Sequence, residues 1–328
     1  MSTAPVALIF GISGQDGAYL AQHLLERGYL VHGTSRDREM SDFANLVRLG
    51  IRDRVSLHSC SLSDFRSVMQ VMSATMPAEV YNLAGQSSVG LSFEQPVETL
   101  HSTMFGALNV LECLRLLKMP ARLYNACSSE CFGHIAEGAA DETTPFHPRS
   151  PYGVGKAAAF WAVANYREAY GLYACSGILF NHESPLRPRR FVTRKIIAGV
   201  ADIAERSADR LRLGNLEVAR DWGWAPEYVV AMHAMLQSPG PSDYVIATGE
   251  THPLGHFVAE AFACFGLDWR NHVEVDPGLL RPSDIGRSAG SPEKARRELG
   301  WQARMRLPDI VAALVEAELA QRRAGEDA

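Results

Sequence analysis

The sequence predicts an α/β protein built on a doubly wound parallel sheet, with a second, smaller α/β lobe. Three observations carry this. Short apolar runs alternate with helix-periodic segments through the first half of the chain, and a glycine-rich turn joins the first run to the first helix. Beyond about residue 183, prolines at 185, 188, 253, 277 and 282 break the pattern into shorter elements. At 328 residues, 47% of them hydrophobic and 21% charged, the chain is long enough for two lobes with ample apolar cores.

Val6–Phe10 has the length and composition of a strand, and Gly11-Ile-Ser13-Gly14-Gln15-Asp16-Gly17 follows it. Tyr19, Leu20, His23, Leu24 and Leu25 then recur at helical spacing, predicting a helix over 18–26. Strand, glycine turn and helix are the setting of a dinucleotide site on a Rossmann-type sheet. Gly11 makes the tight turn, Gly14 lets the backbone approach a pyrophosphate at the helix N-terminus, and Gly17 permits close helix packing.

The second strand, over 30–33, ends in Thr34-Ser35-Arg36-Asp37-Arg38. An acidic residue at that tip binds the ribose 2′-hydroxyl of NAD, whereas an arginine pairs with the 2′-phosphate of NADP. Arg36 favours NADP and Asp37 opposes it. Strand-like runs over 55–58, 80–83, 122–126 and 174–180 come next, separated by helical patterns over 64–75, 99–117 and 152–170.

Ligands of such sheets bind beyond the C-terminal strand ends. Asn82-Leu83-Ala84-Gly85, Ser128-Ser129-Glu130 and Asn181-His182-Glu183 are all predicted at that edge. Tyr244–Ala247 reads as a strand able to rejoin the sheet. The predicted division is therefore a dinucleotide-binding domain over 1–182, completed by 217–250, and a second lobe from 183–216 and 251–328. Gln321–Ala328 reads as a frayed polar tail.

Four side chains in one neighbourhood of the chain suit redox and elimination chemistry: Ser128, Glu130, Tyr152 and Lys156. The Tyr-x-x-x-Lys spacing is one helical turn, so both side chains leave the same face. Lysine there lowers the phenol's pKa, letting a tyrosinate take a hydroxyl proton while the attached carbon gives up hydride. Tyrosine and lysine four apart are common on helix surfaces; the glycine turn upstream and the Ser-x-Glu just ahead give this pair its significance.

A net charge of −5 gives no general attraction to nucleic acid. Arg187, Arg189, Arg190, Arg194 and Lys195 nevertheless crowd one segment, as a solvated face or a clamp for a small polyanion. No apolar run approaches the length of a transmembrane helix, and the N-terminus lacks the basic flank and apolar stretch of a signal peptide. A cytoplasmic protein without a membrane partner is expected. The six cysteines form no CxxC pair and are read as reduced and mostly buried. His252 and His256 have helical ligand spacing, but Pro253 and Gly255 argue against a helix there, and no metal is assigned.

Six segments carry a resemblance over nearly the whole length. They are Gly11–Leu20 (GISGQDGAYL), Pro148–Lys156 (PRSPYGVGK), Asn165–Gly171 (NYREAYG), Gly177–Pro185 (GILFNHESP), Phe191–Lys195 (FVTRK) and Arg220–Gly223 (RDWG). Through them the chain resembles the extended short-chain dehydrogenases/reductases and, among these, the GDP-mannose 4,6-dehydratases. The resemblance implies redox-neutral dehydration of GDP-mannose, or a related GDP-sugar, to GDP-4-keto-6-deoxymannose with bound NADP, in a homodimer or homotetramer. Tyr152 and Lys156 would serve hydride transfer, with Ser128 on the reacting oxygen and Glu130 as C5 base and C6 acid. The cofactor would meet Gly11, Ser13, Gly14, Gln15, Asp16 and Gly17, then Arg36, Leu83 and Ala84, besides Tyr152 and Lys156. The GDP-sugar would meet Ser87, Asn181, Val192, Lys195 and Gly214, with Arg220, Arg281 and Asp284.

Some positions depart from that pattern. Ser128 stands where threonine is common, Cys127 where serine is usual, and Gly85 where alanine is usual. Cys60-Ser61 replaces a Gly-Asp pair beside the adenine, and the Thr34–Asp42 loop differs from the arginine pair of the family's tetramer contact. Rival readings are dehydration of GDP-manno-heptose, a 4-keto reductase, and a cofactor-sensing regulator without turnover. A reductase has no need of Glu130, and a regulator has no need of Tyr152 and Lys156.

Overall fold

In the computed structural model, which describes residues 4–325, β1 (Val6–Phe10) lies at the point where the sheet reverses its winding. On one side of it stand β2 (Leu30–Ser35) and β3 (Ser56–Ser59). On the other stand β4 (Glu79–Asn82), β5 (Arg122–Ser128), β6 (Ala174–Leu179) and β11 (Tyr244–Ile246). The order is β11-β6-β5-β4-β1-β2-β3, every neighbouring pair parallel. Leu8, Ile9 and Phe10 are wholly buried, which is why the strand reads as an unbroken apolar run rather than an alternating one.

Helices cover both faces. α1 (Gln15–Glu26) and α9 (Ala225–Gln237) pack on one face, where Leu20 and Leu24 meet Met232 and Leu236 in one core with Ile9 and Val31. α3 (Phe65–Thr75), α6 (Gly106–Leu116) and α7 (Pro151–Tyr170) cover the other, joining Val68, Met72, Val110 and Val163 to Leu8 and Phe10. α2 (Ala44–Arg48) follows β2, and α4 (Val89–Glu94) follows β4. The helix predicted over 99–117 starts earlier, as α5 (Pro96–Leu100), and runs through a π-helical turn at His101–Phe105 into α6.

The second lobe has its own core. α8 (Val192–Ala204), α10 (Leu254–Ala263) and α12 (Leu307–Arg323) bring Ile196, Ile197 and Val200 against Phe257, Ile310 and Leu314. Three short pairs tie this lobe together and to the sheet edge: β7 (Asn181–Glu183) with β10 (Trp222–Trp224), β8 (Leu211–Leu213) with β13 (Val273–Val275), and β9 (Ala219–Arg220) with β12 (His252–Pro253). α11 (Glu293–Leu299) packs against β11 and α9. Arg194 of α8 is 2% exposed and pairs at 3.1 Å with Glu318 of α12, itself fully buried.

Two local expectations are corrected. The tail expected from Gln321 continues α12 to Arg323, because Arg322 reaches Asp202, Glu205 and Glu318 at 2.6, 2.8 and 3.1 Å; residues 326–328 lie outside the described range. A helix does form beside His252: α10 starts at Leu254 with Pro253 as its N-cap, where a missing N–H costs nothing. The two imidazoles come within 3.3 Å, yet among the described residues no group of three or more metal-ligating side chains is present. All six cysteines are unpaired and five are buried. No helix among the described residues is long and apolar enough to cross a membrane.

Candidate active site

β5 ends in Ser128, whose Oγ accepts from the Glu130 amide at 3.3 Å and caps the single 3₁₀ turn Ser129–Cys131. α7 begins after Ser150, whose Oγ accepts from Gly153 N at 3.1 Å, with Pro151 in the first helical position. A Cβ on Gly153 would stand 2.8 Å from the Glu130 carbonyl oxygen, so only glycine lets the Tyr152 turn lie against the Glu130 turn. Lys156 Nζ donates to the Ala126 carbonyl at 2.7 Å and lies 5.8 Å from the centre of the Tyr152 ring. Cys127 packs its thiol against the Lys156 carbonyl.

Electrostatics differ from the simplest expectation. Burial holds the Tyr152 phenol well above its usual value, and hydrogen bonding from Ser128 only partly offsets it. Lys156 is held below its ordinary value, chiefly by burial. Burial also raises the Glu130 carboxyl, with Arg220 and Arg281 pulling it back, Asp284 pushing it up and Ser150 hydrogen bonding to its charged form. A raised carboxyl takes a proton more readily than one at the ordinary value and keeps it to higher pH, so it is better suited to act as base and then acid.

Beyond Glu130 lies the arginine cluster. Arg220, buried in β9, donates to Asp284 Oδ1 at 3.1 Å and to the Ile285 carbonyl at 2.6 Å, and Arg281 Nη1 reaches the same Oδ1 at 3.5 Å. Asp221, fully buried, accepts from Thr248 N at 2.9 Å, Thr248 Oγ1 at 2.8 Å and Gly249 N at 2.8 Å, fixing β9 and β10 to the end of β11. Burial pushes its carboxyl up to about 6. Lys195 lies exposed in the first turn of α8 with Nζ on the Arg212 carbonyl at 2.8 Å. Gly214, after β8, lies against Leu279, two residues before Arg281. Val192 opens α8, Asn181 opens β7, and Ser87 sits exposed in the loop after β4. No hydrogen bond or ion pair among the described residues joins Ser87, Val192, Lys195 or Gly214 to Ser128, Glu130, Tyr152 or Lys156.

The glycine turn forms an open cradle. Gly11 has φ +86°, and a Cβ there would stand 2.9 Å from the Ala84 backbone; one on Gly17 would stand 2.3 Å from the Gly11 carbonyl oxygen. Gly14 is the N-cap of α1 and supplies no side chain, so the first amides of the helix stay uncovered. Leu83 N donates to the Phe10 carbonyl at 3.1 Å, holding Leu83 and Ala84 beside the turn, and the Ser13 carbonyl accepts from Asn45 Nδ2 at 2.9 Å. Gln15 and Asp16 turn their side chains toward the Asn181–Ser184 segment. Ser184 Oγ donates to Gln15 Oε1 at 2.7 Å, and His182 Nε2 meets Asp16 Oδ2 at 2.9 Å. At the tip of β2, Arg36 is exposed, with no hydrogen-bond or ion-pair partner among the described residues. Asp37 Oδ1 instead accepts from Glu39 N at 2.9 Å and Met40 N at 3.2 Å, folding its carboxylate into its own loop.

Ser150, Gly153, His182 and Asp221 position the site although the sequence reading gave them no role. Ser150-Pro151 carries a recognisable helix-start signature. The other three depend on contacts distant in sequence.

Fold and site together define an extended short-chain dehydrogenase/reductase. A family model described as GDP-mannose 4,6 dehydratase matches residues 8–314. GDP-mannose 4,6 dehydratase 1 of Arabidopsis thaliana is 44% identical over 324 residues, covering 96% of this chain and 90% of that protein. The GDP-mannose 4,6-dehydratase of Sinorhizobium fredii (strain HH103) is 41% identical, covering 98% and 99%. Among solved structures, the UDP-glucose 4-epimerase of Thermus thermophilus in complex with NAD superposes with a TM-score of 0.84 at 25% identity, over 96% of this chain and 99% of that one. The chain belongs to the GDP-mannose 4,6-dehydratase family.

Proposed function

We propose that this enzyme dehydrates GDP-mannose to GDP-4-keto-6-deoxymannose with bound NADP and no net redox change. The carrying observation is the place of Glu130, a half-buried carboxylate two residues beyond the Ser128 hydroxyl and within the field of Arg220 and Arg281. Membership of the dehydratase family supports the reaction.

The cradle suits a dinucleotide: glycines stand where a Cβ would strike backbone, and the uncovered amides of α1 point at the space a pyrophosphate takes. Gly11, Ser13, Gly14 and Gly17 would hold it, beside Leu83 and Ala84, and Arg36 would pair with the 2′-phosphate that makes it NADP. Asp37, folded into its own loop, opposes that phosphate less than its position in sequence suggests. Held there, a nicotinamide would supply a reversible hydride acceptor for the sugar's C4 and C6.

Tyr152 accepts the proton of the sugar 4-hydroxyl while Ser128 hydrogen-bonds the same oxygen. Lys156 places a buried cation behind them, offsetting the negative charge that develops on the phenol. The C4 ketone makes the C5 proton acidic; Glu130 takes it and then protonates the departing 6-hydroxyl, so water leaves. One carboxylate serves both steps because the carbons are neighbours. Lys195, Arg220 and Arg281 offset the diphosphate charge, while Ser87, Asn181, Val192, Gly214 and Asp284 complete the sugar-nucleotide site in the second lobe.

A homodimer or homotetramer would bury the face of α5 to α7, where Val97, Phe105 and Trp161 stand 68%, 43% and 63% exposed. Six unpaired cysteines fit a reducing, cytoplasmic setting. Incubation with GDP-mannose and catalytic NADP tests the reaction: the product loses one water, and solvent deuterium enters at C5. A product that requires stoichiometric NADPH would overturn the dehydratase reading in favour of a reductase.

A further inference from the structure

His182 lies in β7, far along the chain from the glycine turn, yet touches it. Its Nδ1 faces the Phe180 carbonyl at 2.7 Å and its Nε2 faces Asp16 Oδ2 at 2.9 Å. Both oxygens are acceptors. A neutral imidazole carries one N–H and would set a lone pair against one of them, so the ring at this place carries two protons and a positive charge. Asp16 is the second residue of α1, the helix whose uncovered amides form the cradle. A bare carboxylate there would repel a pyrophosphate.

We infer that His182 is a positioning residue of the dinucleotide site, holding Asp16 in a neutral ion pair so that the anionic cofactor meets the amides of α1 without an opposing charge. This rests on the dinucleotide reading of the cradle. The surroundings support it. The Tyr228 ring of α9 stacks on the imidazole at 4.6 Å, and Gln15 Nε2 donates to the His182 carbonyl at 3.2 Å. Arg187 Nη1 donates to the same carbonyl at 2.7 Å, and its charge opposes the imidazolium, but Arg187 is itself paired with Glu183 at 3.1 Å. Burial pushes Asp16 up, yet it stays below its usual value because His182 first, then Gln15 and Arg187, together outweigh that burial; burial pushes His182 down, yet it stays above its own because Asp16 and the Phe180 carbonyl outweigh burial and Arg187.

Since the imidazolium loses its proton as pH rises, dinucleotide affinity falls as pH climbs through a value above the ordinary 6.5 of histidine. The test is direct titration of NADP into the parent protein and into His182→Gln, Asp16→Asn and the double variant. It runs from about pH 7 upward, above the second ionisation of the 2′-phosphate near 6. Thermal midpoints without cofactor report folding independently. His182→Gln weakens NADP about tenfold, Asp16→Asn weakens it less than that, and the double variant recovers most of the loss. The fall of affinity with pH disappears in the double variant. If Asp16→Asn is as weak as His182→Gln, or the double variant stays as weak as His182→Gln, the ion pair has no such role and the inference is overturned. A parent protein that binds neither NADP nor NAD would instead overturn the dinucleotide reading itself.

Discussion

The Glu130 carbonyl oxygen and Gly153 approach so closely that a Cβ on the glycine would stand 2.8 Å from the oxygen. Through this contact the first turn of α7, which carries Tyr152, is pressed onto the turn that carries Glu130. The two side chains proposed to carry the reaction thus share one backbone junction.

Gly153→Ala must therefore push α7 off the Glu130 turn. An overpacking cost of about 1–3 kcal/mol is expected, with a fall in kcat that exceeds any change in GDP-sugar affinity. Urea denaturation and steady-state kinetics check it; unchanged kcat would show that the two turns move independently of the chemistry.

Glu130→Gln keeps the shape of the side chain but cannot take the C5 proton. GDP-sugar binding is expected to persist while dehydration falls by about 10² to 10⁴. Tyr152→Phe fails earlier, with no transient NADPH absorbance in a single turnover. Because the Glu130 carboxyl is raised by burial, the acid limb of kcat/KM lies above the ordinary 4.5 of glutamate: activity falls as pH drops through the raised value and the base becomes protonated.

Arg36→Ala is expected to weaken NADP much more than NAD, by about ten- to a hundredfold, the worth of one charge-assisted phosphate contact of roughly 1.5–3 kcal/mol. Parallel titration of both cofactors decides it. Equal losses would place the guanidinium away from the 2′-phosphate.

A pH effect on stability, separate from catalysis, arises where His23 Nε2 meets His233 Nδ1 at 3.2 Å between α1 and α9. Burial, then Arg27 and His233, hold His23 at about 4, below its ordinary 6.5. The folded state thus binds this proton less readily than the unfolded chain. The contribution is full above pH 6.5 and is lost as pH falls toward 4, a decline on the order of 2 kcal/mol. His23→Gln should flatten the fall of the urea midpoint across that window; a parallel fall in both proteins would assign it to other groups.

Much of this was legible in the sequence, for physical reasons. Strands buried on both faces leave unbroken apolar runs, and the rule that ligands gather at C-terminal strand ends put Ser128 and Glu130 at the sheet edge, with Tyr152 close by in the chain. Tyr244–Ile246 was legible as a returning strand for the same reason. What escaped was partnership across distance. Asp16 and His182 are 166 residues apart, and nothing local to either announces the other. Arg322 looked like part of a solvated tail because its three carboxylates, Asp202, Glu205 and Glu318, lie elsewhere in the chain or one turn back. The folded loop of Asp37 was hidden too: composition shows an anion beside Arg36 but not which way the anion faces.

The Arg194–Glu318 pair joins residues 124 positions apart, and the second of them lies in α12, after every strand of the sheet. Synthesis proceeds from the N-terminus, so the seven sheet strands, the last ending at Ile246, are complete well before Glu318 exists. Until then α8 would have to bury a guanidinium with its carboxylate missing, which costs about 3–5 kcal/mol. The growing polypeptide can therefore assemble the seven-stranded sheet while still on the ribosome, but the core of the second lobe closes only once Glu318 has emerged.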